Sequence, residues 1–179
     1  MSELFLSEYQ DTWPQQLLQV AEQLRASVPV PGAVLEHIGS TSVPGLCAKP
    51  VLDILLGINS LGEVEAWIHS LGSAGFMYRP EYEVAIPDRR YFVRPEAQTA
   101  RVHLHAVVLG GLLWRQHLHF RDALRQEPLL REQYATLKRG LAIAHAADKA
   151  AYTEAKAPFI RQVLASNPAR AISALRSAA

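Results

Sequence analysis

Apolar positions recur with two different spacings along this chain, and the change of spacing predicts where helices and strands lie. A stripe with helical spacing predicts a first helix over residues 12–28, formed by Leu17, Leu18, Val20, Ala21 and Leu24. Short apolar runs then predict strands over residues 33–38, 51–58, 76–79, 90–95 and 101–109. Another helical pattern covers residues 60–74, between the second and third of these strands.

From residue 112 onward the spacing is helical throughout. It predicts three helices, over residues 112–127, 128–146 and 148–166. The strand at 51–58 is apolar on both faces, which is typical of a central strand in a sheet that is covered on both sides. The chain is therefore predicted to form one α/β (α+β) domain over residues 1–179, with a sheet core at 1–110 and a helical region at 111–179.

Composition narrows the class of protein. The chain has 179 residues, of which 49% are hydrophobic, so one compact domain is expected. Lys and Arg number 18 against 17 Asp and Glu, and this balance does not favour nucleic acid as a partner. The single cysteine, Cys47, excludes an internal disulfide framework and a zinc site made of several cysteines.

The sequence shows neither a membrane-spanning segment nor a signal peptide. No segment approaches the roughly 20 apolar residues that a membrane-spanning helix needs. The N-terminal residues have neither the basic start nor the apolar run of a signal peptide. We therefore expect a cytoplasmic protein with no membrane partner, and the sequence leaves open whether it forms a homodimer.

The loop between the first two predicted strands carries an unusual run, Gly39, Ser40, Thr41 and Ser42. Glycine permits backbone angles that turn successive N–H groups toward an anion, and the hydroxyls add donors. The run is not a P-loop, because the Gly-Lys-Ser/Thr ending is absent, although Lys49 could fold back toward a bound phosphate. The alternative is a turn whose hydroxyls satisfy its own backbone.

Asp53 is a carboxylate inside an otherwise apolar strand. Alternation places it on one face with Val51 and Leu55. A buried carboxylate costs free energy unless it is paired, hydrogen-bonded or bound to a metal. Use in catalysis or ligand binding is the preferred interpretation, and the alternative is an ion pair with a nearby Lys or Arg or hydrogen bonds to the amides of a loop.

His103 and His105 share one face of the last predicted strand, so both imidazoles could converge on one ligand or metal ion. Ordinary buried histidines are the alternative. Arg89 and Arg90 flank a turn from which a guanidinium could reach phosphate. Tyr152 and Lys156 lie one helical turn apart, facing either the same cleft or solvent.

Six blocks of sequence, in order, resemble the GrpB family. They are EHIGSTSVPGLCAKPVLDI, RRYF, HLHAV, FRDALR, YATLK and YTEAKAPFI, spread between Glu36 and Ile160. The resemblance implies a fold of the nucleotidyltransferase superfamily, a mixed β-sheet flanked by helices. It also implies a Gly-Ser loop that binds nucleotide phosphates and carboxylates on the following strands that hold divalent metal.

Carried over by position, Gly39 and Ser40 match the Gly-Ser pair and Asp53 matches the first metal carboxylate. The position of the second carboxylate is occupied by Leu55, and His103 or His105 stands where a third is expected. A single Asp with histidines suits Zn²⁺ or Mn²⁺ better than Mg²⁺, which prefers oxygen ligands.

Glu36 is a candidate for the missing carboxylate, although its partner could equally be Lys49. The resemblance thus implies a metal site made of Asp53, His103, His105 and Glu36.

The leading hypothesis is a nucleotidyltransferase-like enzyme that uses a divalent metal. It would bind a nucleotide or another phosphorylated small molecule and transfer a nucleotidyl group to a small acceptor. Asp53, His103 and His105 would be its catalytic residues. Two alternatives remain: a nucleotide- or CoA-binding module that has lost its metal chemistry, and a hydrolase built on a His/Asp metal site.

Overall fold

A computed structural model describes residues 6–28, 32–97 and 99–166 of the chain. Its strands are β1 (Val34–Ile38), β2 (Val51–Ile58), β3 (Met77–Tyr78), β4 (Arg89–Arg94) and β5 (Arg101–Val108). Its helices are α1 (Trp13–Ser27), α2 (Leu61–Ser73), α3 (Leu112–Gln126), α4 (Pro128–Ala144), α5 (Lys149–Ala155) and α6 (Ala157–Ala165). Short 3₁₀ turns lie at Ser40–Ser42 and Pro80–Tyr82.

The strands form one sheet in the order β1-β2-β5-β4-β3. β2 and β5 are parallel, and the other neighbouring pairs are antiparallel, so the sheet is mixed as predicted. β2 is an inner strand, which explains why its sequence is apolar on both faces. The expected fold class is confirmed.

Helices cover both faces of the sheet. Leu52, Ile54 and Leu56 of β2 belong to a core cluster that includes buried residues of α1 and α2. On the opposite face, Leu55 packs with Trp114 of α3. That second face also carries Asp53, because side chains two residues apart on a strand point the same way. The site therefore lies on the side of the C-terminal helices.

The structure differs from the sequence-based prediction in the last helical segment. One helix was expected over residues 148–166, but α5 ends at Ala155 and α6 begins at Ala157. Pro158 has no backbone N–H and cannot continue the hydrogen bonds of a preceding helix, whereas it suits the first turn of a new one. The break places Lys156 at the junction of the two helices.

Among the described helices, none combines the length and the apolar character needed to cross a bilayer. The boundary proposed at residue 110 between core and helical region stays a prediction. Residues 167–179 of that helical region lie outside the described residues.

Candidate functional site

The loop after β1 brings Gly39 against the carboxylate of Asp53. Gly39 has a φ of 70°, in the left-handed region that favours glycine. A Cβ atom at this position would clash with Asp53 Oδ2. The glycine that opens the hydroxyl run is therefore required for two reasons, its backbone angle and the close approach of Asp53.

Two of the three hydroxyls in this loop donate to backbone carbonyls, one in β2 and one in the loop itself. Thr41 Oγ1 donates to the carbonyl oxygen of Val51 at 2.9 Å, and Ser42 Oγ donates to that of Gly39 at 2.6 Å. Both side chains are buried. Ser40 differs, because its Oγ accepts a hydrogen bond from Lys138 Nζ at 3.0 Å. The turn-forming alternative thus describes Ser42, whereas Thr41 attaches the loop to β2 and Ser40 contacts a cation.

Asp53, His103 and His105 lie close together, with one ligand-type atom of each within 4.8 Å of the others. The parallel pairing of β2 with β5 sets Asp53 opposite His103. His103 Nδ1 and His105 Nε2 are each 3.4 Å from Asp53 Oδ1. Burial by itself raises the pKa of Asp53, but hydrogen bonds from the two histidines outweigh it and hold the pKa well below its usual range.

Each histidine also contacts an arginine, through the ring nitrogen that faces away from Asp53. Arg89 Nη1 is 3.3 Å from His105 Nδ1, and Arg101 Nε donates to His103 Nε2 at 3.3 Å. The guanidinium of Arg89 also lies over the ring of Tyr91, 4.9 Å from its centroid. Burial lowers the pKa of Arg89.

Arg90 does not join this group. Its side chain bonds to Glu65 of α2 at 2.9 Å and lies 3.3 Å from Glu83. It follows Arg89 in β4 and therefore points to the opposite face of the sheet. The structure brings one of the two predicted arginines to the site and places the other away from it.

Glu36 is also placed differently from expectation. Its carboxylate bonds to Arg121 of α3 at 2.6 Å rather than to Lys49, and it does not belong to the cluster around Asp53. Leu55, at the position of the second carboxylate, is fully buried against Trp114. A metal centre built from several oxygen ligands therefore does not fit the described residues, since Asp53 is the one carboxylate of the cluster.

A pocket of about 410 Å³ opens in front of Asp53. Its wall includes Ser40, Thr41, Lys49, Val51, Asp53, Tyr82, Tyr91, His103, Lys138, Tyr152, Thr153 and Lys156. The hydroxyl-bearing loop, the carboxylate and one of the imidazoles thus border the same cavity, with the C-terminal helices closing its other side.

Three lysines converge on this pocket. Lys49 Nζ and Lys156 Nζ lie 4.4 and 4.5 Å from the centroid of the Tyr152 ring. Burial first, and then the charge of Lys49, lower the pKa of Lys156 to about 8. Burial also lowers the pKa of Lys138 to about 8 and shifts that of Lys49 downward. Among the described residues, none of the three forms an ion pair with a carboxylate.

Lys138 was missed by the sequence reasoning. It is 2% exposed, and its Nζ donates to Ser40 Oγ and to the carbonyl oxygen of Cys47. A signal was present, because Lys138 lies four residues after Tyr134, and residues at this spacing share one face of a helix. A lysine on a buried face needs a specific partner.

Comparisons with known proteins agree on one family. A sequence profile described as GrpB protein matches residues 3–166. A UPF0157 protein from Deinococcus radiodurans is 37% identical over 140 residues, which cover 78% of this chain and 70% of that protein. The crystal structure of the conserved protein GrpB from Enterococcus faecalis has a TM-score of 0.79 and 31% identity, over 89% of this chain and 94% of that one.

A much weaker structural match was also found. A cytoplasmic RNA terminal U-transferase aligns with a TM-score of 0.43 and 15% identity, over 74% of this chain and 43% of that one. A similarity this distant carries no information about activity.

Proposed function

This chain belongs to the GrpB family, and on that premise we propose that its pocket binds the phosphate groups of a nucleotide or a similar small molecule. The observation that carries the proposal is the convergence of Lys49, Lys138 and Lys156 on one cavity beside Ser40. Asp53 lies in the same wall but forms no ion pair with any of the three, so the ammonium groups repel one another and a bound anion would reduce this cost.

The geometry favours phosphate over a carboxylate ligand because the positive charges are spread around the pocket. Lys138 approaches from α4 behind Ser40, whereas Lys49 and Lys156 flank Tyr152 on α5. A polyphosphate has several anionic oxygens that can reach separated ammonium groups. The nearly balanced charge of the whole chain supports a small ligand rather than a polymer.

Nucleotidyl transfer is the second candidate function, and Asp53 beside the Gly39–Ser40 turn is the observation that favours it. Two-metal transfer requires more than one anionic oxygen ligand, and Leu55 and Glu36 do not provide it here. We therefore place binding ahead of transfer. A hydrolase built on the His/Asp cluster is the remaining alternative, and it predicts tight zinc binding without nucleotide.

The first test is a thermal-shift panel with ATP, GTP, CTP, UTP and CoA, each with Mg²⁺, Mn²⁺, Zn²⁺ or chelator. A ligand at a hundred times its dissociation constant stabilises the folded state by about 2.7 kcal/mol. For a chain of this size the expected rise in Tm is roughly 5 to 10 °C, at about 2 to 4 °C per kcal/mol. No rise with any nucleotide or CoA contradicts the proposal, and pyrophosphate release on addition of metal favours transfer over binding.

Lys138→Met tests where the ligand sits. Loss of one charge-assisted hydrogen bond, worth about 1.5 kcal/mol, should weaken binding of the stabilising ligand about tenfold in isothermal titration calorimetry. Arg139→Met is the matched control, because Arg139 follows on the same helix but lies 3.3 Å from Glu8 on the surface. Equal affinities of the two variants would place the ligand away from Lys138.

The affinity for this ligand should fall at alkaline pH. The pKa of both Lys138 and Lys156 is lowered to about 8, so their charge is complete near neutral pH and is lost as the pH rises through 8. The dissociation constant should therefore rise between about pH 7.5 and 9.5, measured by calorimetry. In the lysine variant Lys138→Met the rise should be shallower. A dissociation constant that stays flat over this range would show that these amines do not contact the phosphates.

The ligand-free protein should respond to pH with the opposite sign. An unfolded lysine keeps its proton to about 10.5, whereas these two lose theirs near 8 in the folded state. The unfolded state therefore binds more protons between these values, and the contribution of the two lysines to stability rises with pH. Urea denaturation of the wild type and Lys138→Met at several pH values measures this difference.

We also propose that the protein acts in the cytoplasm, where nucleotides and reduced thiols coexist. Its one cysteine, Cys47, is buried and unpaired, which suits a reducing compartment.

A further inference from the structure

Each histidine of the pair has one ring nitrogen facing Asp53 and the other facing an arginine. For His105, Nε2 is 3.4 Å from Asp53 Oδ1 and Nδ1 is 3.3 Å from Arg89 Nη1. For His103, Nδ1 is 3.4 Å from the same carboxylate oxygen and Nε2 accepts from Arg101 Nε at 3.3 Å. The two side chains thus repeat one arrangement with the roles of their ring nitrogens exchanged.

The chemistry of these groups determines where the imidazole protons lie. A guanidinium can only donate hydrogen bonds, so the ring nitrogen that faces it must offer a lone pair. A neutral imidazole carries a single N–H, which is then on the other nitrogen. His105 therefore carries its proton on Nε2 and His103 on Nδ1, and both N–H groups donate to Asp53 Oδ1.

This arrangement is the reverse of what a metal centre needs. A histidine that binds a metal offers its lone pair to the ion and donates its other N–H to a carboxylate, carbonyl or water. Here the lone pairs point at Arg89 and Arg101, and the N–H groups point at the carboxylate that would share the ion. A doubly protonated imidazole would have no lone pair for a metal at all.

We propose that Arg89 and Arg101 keep His105 and His103 as hydrogen-bond donors to Asp53, so that this trio excludes Zn²⁺ and similar imidazole-binding metals. Asp53 then presents a carboxylate, rather than a metal ion, to the pocket. Arg89 is the stronger determinant, because it is partly buried and packed over Tyr91, whereas Arg101 is exposed and more easily displaced. This inference concerns the trio alone and does not depend on whether the lysines bind phosphate.

Metal titration of the intact protein tests the proposal, with Co²⁺ read by its visible absorption and Zn²⁺ read by calorimetry. We expect the wild type and His105→Phe to take up the same amount of metal, because no metal binds at the trio in the wild type. The double variant Arg89→Met/Arg101→Met should bind either metal at least about tenfold more tightly, and His105→Phe should abolish that gain. Arg90→Met is the matched control, since it removes a guanidinium from the same strand on the opposite face.

Two results would overturn the proposal. One is wild-type uptake of Zn²⁺ that equals that of the double variant and is lost in His105→Phe. The other comes from the wild type alone, by long-range proton–nitrogen correlation spectra of its histidines. These should show protons on His105 Nε2 and His103 Nδ1, and the opposite tautomer at His105 would contradict the argument even if a variant failed to fold.

Discussion

Replacing Leu55 with aspartate should destabilise the protein by about 4 kcal/mol, through lost packing and a buried carboxylate. Leu55 is fully buried on the face that carries Asp53, in one cluster with Ile38, Val107 and Trp114. The position corresponds to the second metal carboxylate that the family resemblance implies. The substitution therefore restores a carboxylate, but its surroundings are the apolar side chains of this cluster. Urea denaturation, followed by tryptophan fluorescence and circular dichroism, measures the loss.

Leu55→Met is the control for this prediction. A hydrophobic substitution of similar volume usually costs less than about 1.5 kcal/mol, so this variant should unfold close to the wild type. An aspartate variant as stable as the methionine variant, and stabilised further by Mg²⁺, would show that the site accepts a second carboxylate. In that case the barrier to two-metal chemistry would not be packing around Trp114.

Gly39→Ala should have the second large effect, a destabilisation of about 3 kcal/mol. Gly39 combines a φ of 70° with a ψ of −174°, a region that essentially only glycine occupies and that costs another residue about 1–3 kcal/mol. The added methyl group also collides with Asp53, which must move away from its two histidines. The Tm should fall by roughly 6 to 12 °C, at about 2 to 4 °C per kcal/mol.

Gly45→Ala separates the two causes. Gly45 has a φ of 78°, close to the 70° of Gly39, but a methyl group there would meet nothing within 4 Å. Because both positions have a positive φ, the contact with Asp53 should make the loss larger in Gly39→Ala than in Gly45→Ala. Equal losses in the two variants would mean that the backbone angle alone requires Gly39, and that Asp53 adjusts without cost.

Local pattern predicted a large part of this site. The alternation along β2 and β5 placed Asp53 on one face of its strand and His103 with His105 on one face of theirs, and the structure agrees. The sequence also indicated that Gly39 allows backbone angles that other residues avoid, and its φ of 70° agrees. These are properties of a few consecutive residues, and the period of a strand is enough to predict them.

The contacts that were misplaced or missed all join residues distant in sequence. Glu36 was expected near Lys49 or a metal but pairs with Arg121, which lies on α3. Arg90 was expected at phosphate but contacts Glu65 of α2. Lys138 contacts Ser40, which lies 98 residues earlier in the chain, and a local sequence pattern cannot predict a contact over this separation.

The sequence by itself determined most of the elements, their faces and the family, because periodicity and motifs depend on residues that are close together in the chain. Only the tertiary structure decided the chemistry of the site. Packing the C-terminal helices over the sheet brought Lys138 and Lys156 to the pocket beside Lys49, and pairing β4 with β5 brought Arg89 to His105. The protonation state of a titratable side chain depends on the groups that surround it in space, and the order of residues along the chain does not show which groups these are.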